Sequence, residues 1–151
     1  MSTGATESSI TIRVPQTRDH GRLAELAGQL GYSSAGDEIA RRLAGMQGSP
    51  DHAVFLAETP EGRIAGWIGV FLYRCVEADA RAEISGLIVD ERMRSKGIGN
   101  HLLERAEEWA REKGCLTASV RSNVIRERAH TFYERNGYKH IKTQKAFRKT
   151  L

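Results

Sequence analysis

Between Ala82 and Arg121 the chain runs from an apolar segment, AEISGLIV, through a basic loop with two nearly adjacent glycines, RSKGIG, into a long helical stretch and out into CLTASVR. The outer segments have strand character. Leu102, Ala106, Trp109 and Ala110 recur at helical spacing between them, and Gly114 ends the repeat. Strand, helix and strand in that order form a crossover whose two strands run parallel in one sheet. The loop then lies beyond the carboxyl end of the first strand, where such sheets hold ligands.

The flanking segments supply the rest of the sheet. ITIRV predicts a short strand from Ile10 to Val14, and Leu23, Leu26, Ala27 and Leu30 predict a helix after it. Ile39, Leu43 and Met46 mark a second helix, closed by Gly48 and Pro50. HAVFLAE and IAGWIGVFLYR flank TPEGR, whose Pro60 and Gly62 suit a hairpin turn. A last helix from about Arg126 to Arg135 carries Ala129, Phe132 and Tyr133 toward the core and stops at Gly137, and YKHIKT and KAFRKT predict two closing strands. The expected fold is a mixed α/β domain with a mostly antiparallel central sheet and one parallel strand-helix-strand crossover.

A chain of 151 residues is the size of one ordinary domain, expected over 10–151 behind a flexible tail at 1–9. No apolar run approaches the roughly 20 residues a membrane span needs. The opening MSTGATESSI lacks the basic start and apolar centre of a secretory signal, so a cytoplasmic location is expected. Cys75 and Cys115 stand far apart without a CxxC pair, and His20, His52, His101 and His140 have no ligand spacing, so no metal site is expected. The formal charge of +4 favours an anionic ligand, but the charges are too evenly mixed for a nucleic-acid arm.

The loop itself suits phosphate. A helix start leaves its first backbone N–H groups without intrahelical partners and carries partial positive charge, and Gly97 and Gly99 permit close approach. Arg92, Arg94 and Lys96 add fixed charge around those amides. A nucleotide P-loop would need Gly-Lys-[Ser/Thr], which is missing here. A dinucleotide fingerprint would need a third glycine where Leu102 stands and an acidic residue about 20 positions on.

The pattern that remains is [Gln/Arg]-x-x-Gly-x-[Gly/Ala], met by Arg94, Gly97 and Gly99. With AEISGLIVDERMRSKGIG ahead of it and AHTFYERNGY behind it, the chain resembles the GNAT superfamily of N-acetyltransferases, closely over 64–138 and by element order elsewhere. The resemblance implies a GNAT-like acyl-CoA N-acyltransferase fold and acetyl-CoA as cofactor. It also implies that the backbone of Leu87, Ile88 and Val89 pairs with the pantetheine arm, and that amides across Arg94, Ser95, Lys96, Gly97, Ile98 and Gly99 take the pyrophosphate. The side chains of Leu87 and Val89 also suit a buried strand, and Arg92 and Lys96 equally suit a solvated surface.

Transfer to an amine needs deprotonation, because an alkylammonium with a pKa of about 10 is almost wholly protonated at neutral pH. Strict alternation would put Glu83, Ser85, Leu87 and Val89 on one face, with Glu83 placed to act as base through a water. The other reading has Glu83 facing solvent or pairing with Arg81. Tyr133 matches the superfamily's usual proton donor to the departing thiolate. Asn usually stands seven positions before that tyrosine, where this chain has Arg126, so either Asn123 or Arg126 is expected to contact the cofactor. His130 reads as structural, and Tyr32, Tyr73 and Glu77 as candidate liners of an acceptor pocket. The expected activity is direct transfer, within a ternary complex, to a primary amine of a small molecule or protein by a homodimer. The alternatives are an inactive CoA-binding regulatory protein and a basic nucleic-acid-binding module.

Overall fold

The computed structural model describes residues 9–32, 35–94 and 96–151. Residues up to Val120 form one compact unit and Arg121–Leu151 a second. Most of the expected tail, 1–8, lies outside the described residues.

In the first unit, strand β1 (Thr11–Arg13) leads through a short 3-10 turn into helices α1 (His20–Gly28) and α2 (Gly36–Met46). Strands β2 (His52–Glu58), β3 (Ile64–Tyr73) and β4 (Arg81–Val89) follow, then α3 (Ile98–Glu112) and β5 (Ala118–Val120). The sheet order is β1-β2-β3-β4-β5, with every neighbouring pair antiparallel except β4 and β5. This is the mixed, mostly antiparallel sheet with a parallel crossover that the segment order predicts.

Each face of the sheet is covered by a different helical layer. Leu56, Trp67 and Ile88 lie in register across β2, β3 and β4 and pack with Leu23, Leu26 and Ala27 of α1 and Leu43 of α2. The opposite face meets α3, whose buried stripe is Ile98, Leu102, Leu103, Ala106, Trp109 and Ala110. Leu26, Leu56, Ile68 and Leu102 are fully enclosed, each contributing about 1.5–3 kcal/mol by leaving water. A buried ion pair fastens the edge: Asp19, 3% exposed, accepts from Arg13 at 2.8 and 3.0 Å and from the Gln16 amide at 2.7 Å. Arg13 also bonds Glu58.

The decisive irregularity is in β4. Gly69 pairs with Gly86 and Val70 with Ile84, so Ser85 has no opposite number on β3. One extra residue of this kind bends a strand and resets its alternation. Glu83, opposite Phe71, and Ile88, opposite Trp67, therefore face α1 and α2, while Leu87, opposite Ile68, turns to the α3 side. Ser85 stays with Glu83, its hydroxyl reaching over Gly69. The expected common face for Glu83, Ser85, Leu87 and Val89 is thus wrong beyond Ser85, because simple alternation does not anticipate a bulge.

The second unit contains α4 (Glu127–Arg135), ended by Gly137 at φ 88°. Residues 138–151 form neither helix nor strand, and 139–151 are all exposed. The two closing strands expected at YKHIKT and KAFRKT are therefore absent. Strand-like composition supplies no ladder partner, and an unpaired strand is not stable in water.

Gly66 tests the close approach of β3 to β4. A Cβ there would lie 2.4 Å from the Ile88 carbonyl oxygen and 3.2 Å from Leu102 Cδ1. Gly66→Ala is expected to cost about 1–3 kcal/mol, read as a lower urea midpoint at unchanged slope. Unchanged stability would show that the two strands are not packed this closely.

Candidate active site

The bulge coincides with an opening in the sheet. β4 pairs with β5 only from Ala82 to Ile84, opposite Ala118 to Val120. From Ser85 to Val89 the same edge of β4 has no strand beside it among the described residues, so its backbone can pair with an extended, amide-bearing ligand. Leu87, Ile88 and Val89 lie on this open run. Ile88 is buried with its side chain in the α1/α2 core, and Leu87 and Val89 are half-buried.

Beyond β4 the chain makes a 3-10 turn, Glu91–Met93, capped by Asp90, whose side chain accepts from the Arg92 amide. Arg94 Nε donates to the Val89 carbonyl at 3.4 Å. Gly97 is the residue before α3 and sits at φ 78°, left-handed backbone that costs an L side chain roughly 1–2 kcal/mol. The helix has no side-chain cap and no acidic residue in its first turn. Its positive end therefore faces no negative side chain of its own, beside Arg92 and Lys96, both exposed. Ile98 is buried, Gly99 half-buried, and Ser95 lies outside the described residues. An uncapped helix start next to an open strand edge suits a ligand with a diphosphate and a peptide-like arm.

On the α1/α2 side, Glu83 is only 5% exposed. Its Oε2 lies 3.6 Å from Arg81 Nε, a charge contact longer than a hydrogen bond. The Arg81 guanidinium in turn stacks over the Tyr73 ring at 4.2 Å. Glu83 therefore does not face solvent, and the pairing with Arg81 expected as the alternative to catalysis is present. Of the other candidate pocket liners, Tyr32 and Glu77 are exposed.

In the second unit, burial pushes the Tyr133 phenol up to about 12, partly offset by the nearby positive charge of Arg126. Tyr133 packs edge-on against Phe132 and Tyr138, at centroid distances of 5.2 and 5.7 Å. It stays protonated at neutral pH, as a proton donor requires. Asn123 is engaged locally: its Oδ1 accepts from the Ile125 amide at 3.1 Å, and its carbonyl accepts from the Arg126 amide at 3.0 Å. Since a carbonyl only accepts, the 2.9 Å contact of His130 Nε2 with Asn123 O puts the proton on Nε2. His130 thus has the structural use expected of it. Arg126 is exposed at the start of α4.

Sequence reasoning missed Arg22 and Gln29. Both lie near the start of the chain and reach Asp90, 68 and 61 residues away, and no local pattern signals such a contact.

A sheet opened beside a glycine-started helix is the architecture of an acyl-CoA-type transferase, and comparison with known proteins agrees. Residues 22–138 match the model of the acetyltransferase (GNAT) family. The chain belongs to that family. Among named relatives, an aminoalkylphosphonate N-acetyltransferase of Salmonella typhimurium is 38% identical over 88 residues, 56% of this chain and 57% of that protein, so the match spans little more than half of the relative. An aminoglycoside N(6')-acetyltransferase type 1 of Klebsiella aerogenes is 28% identical over 118 residues, 76% of each chain. Among solved structures, glucosamine-6-phosphate N-acetyltransferase from Arabidopsis thaliana superposes with a TM-score of 0.81 at 23% identity, covering 93% of this chain and 98% of that one. That last likeness is one of fold.

Proposed function

We propose that residues 10–151 form a single acetyl-CoA-dependent N-acetyltransferase domain that passes the acetyl group directly to a primary amine of a small molecule or protein. The observation that carries this is the unpaired edge of β4 from Ser85 to Val89, running into the uncapped, glycine-started α3 of a GNAT-family chain. Bound acetyl-CoA supplies a thioester whose carbonyl an uncharged amine can attack.

In this reading the β4 backbone at Leu87, Ile88 and Val89 aligns the pantetheine arm. The amides of Arg94, Ser95, Lys96, Gly97, Ile98 and Gly99 hold the pyrophosphate. Arg126 is the better phosphate contact of the two residues left open, because the Asn123 side chain is already used within its own turn. Glu83 accepts the ammonium proton through a water, and β4 amides meet the negative charge that develops on the carbonyl oxygen. Tyr133, held protonated by burial, gives its proton to the departing thiolate. The two cysteines take no part, since transfer needs no acyl-enzyme.

The named relatives above acetylate an aminoalkylphosphonate and aminoglycosides. For this chain we favour a small or protein-borne cationic amine, drawn by the acidic residues Glu77 and Asp79 beside β4. A cytoplasmic location fits the free thiols of Cys75 and Cys115, and no described helix is long and apolar enough to cross a membrane. A homodimer is supported by the C-terminal segment, which holds Ile141, Phe147 and Leu151 at 80%, 91% and 110% exposure.

Thiol release on acetyl-CoA with a panel of amines tests the chemistry. Glu83→Gln and Tyr133→Phe should each lower kcat by about 10²–10⁴-fold while leaving acetyl-CoA affinity near that of the parent. Full turnover in either variant removes that residue from the mechanism. For the dimer, sedimentation should give twice the chain mass for the parent and a single chain for Phe147→Asp, whereas a monomeric parent rules the assembly out.

A further inference from the structure

The loop that starts α3 is fastened at its first residue to a helix from the other side of the sheet. Asp90 is 3% exposed, and its backbone N–H donates to the Ala65 carbonyl at 2.8 Å. Its Oδ2 accepts from Arg22 Nη2 at 2.5 Å, and its Oδ1 accepts from the Arg92 amide at 3.1 Å and from Gln29 Nε2 at 3.5 Å. Gln29 turns its other amide atom to the next residue, Oε1 accepting from the Glu91 amide at 3.1 Å. Only this orientation of the Gln29 amide satisfies both partners, since a carboxylate accepts and an N–H donates. Arg22 is itself held on both sides, donating Nε to the Ile64 carbonyl at 3.2 Å and Nη1 to Glu25 at 3.1 Å.

An ion pair whose carboxylate is buried and whose guanidinium is partly exposed is a poor source of net stability, because desolvation offsets much of the attraction, but it fixes geometry. Here the geometry fixed is that of residues 90–92, where the chain leaves β4 for α3. The hydrogen bond from the Arg92 amide, opposed by burial and aided by the bond from Arg22, holds the Asp90 carboxyl below the usual range. The pair thus stays charged at neutral pH.

We propose that Arg22 and Gln29 are positioning residues for acetyl-CoA: through Asp90 they lock the loop ahead of α3 in the form that presents its amides to the pyrophosphate. This rests on the acetyl-CoA reading given above. A loop held in its binding form in advance spares the ligand the entropy of ordering it, so loosening the clamp weakens cofactor affinity and leaves the chemical step alone.

The test uses the full chain with Gln29→Ala, Arg22→Ala and the conservative Arg22→Lys, following hydrogen exchange at 91–97 and acetyl-CoA affinity by calorimetry, with kcat and KM in the amine assay. Expected are faster exchange confined to that loop and a Kd and KM for acetyl-CoA raised about tenfold in Gln29→Ala and Arg22→Ala at near-parental kcat, with Arg22→Lys between them and the parent. Unchanged affinity in folded variants, or kcat falling in step with the folded fraction, overturns the positioning role alone. If the parent does not bind acetyl-CoA, the enzymatic reading falls and takes this role with it.

Discussion

One extra residue in β4 organises everything the protein presents to a ligand. Because Ser85 has no partner on β3, the strand bends there, and its pairing with β5 stops one residue earlier, at Ile84. Without the bulge, β4 and β5 could continue side by side and close the edge against which an extended ligand can lie. The same residue divides the strand's side chains: Glu83 goes to the α1/α2 face, and Leu87 crosses to α3. A glycine tolerates the distortion where a side chain would crowd it: a Cβ at Gly69 would lie 2.5 Å from the Ser85 hydroxyl, whereas one at Gly86 would meet the Trp67 ring only at ordinary contact distance.

The charged groups around this opening fall into two kinds. Arg92 and Lys96 are solvated, and their contribution to anion binding is long-range and salt-sensitive. Asp90, Asp19 and Glu83 are buried. Asp19 and Asp90 are held ionised by dedicated partners, Arg13 through the strongest bonds of the first and the Arg92 amide with Arg22 around the second. The buried charges of Asp19 and Asp90 therefore mark where the chain fixes its backbone around α1. Exposed charge marks where a ligand phosphate can arrive.

Much of this was legible in the sequence because it is local. The period-two and 3.6-residue patterns locate α1, α2, β2, β3 and α3, and Leu23, Leu26, Leu43, Leu102 and Trp109 are core residues as their spacing implies. The Arg94, Gly97 and Gly99 pattern marks the loop because a left-handed residue before a helix favours glycine. What was not legible depends on partners distant in sequence. The bulge at Ser85 is set by register with β3, the Arg22 and Gln29 contacts span more than sixty residues, and the segments expected as C-terminal strands pair with no strand, which their composition does not reveal. Glu83 illustrates the divide: its strand and its proximity to Arg81 could be read from the chain, but its burial beside the Arg81–Tyr73 stack could not.

The most direct measurement is calorimetric titration of the purified protein with acetyl-CoA, with ATP and NAD as controls and Gly97→Glu as the comparison. A glutamate there sets a carboxylate at the uncapped start of α3 on backbone that favours glycine. Saturable binding selective for acetyl-CoA, abolished in a Gly97→Glu protein whose circular dichroism is unchanged, is the predicted result. A folded parent protein that takes up no acetyl-CoA would contradict the central claim, and the loop would then be no more than the start of a helix.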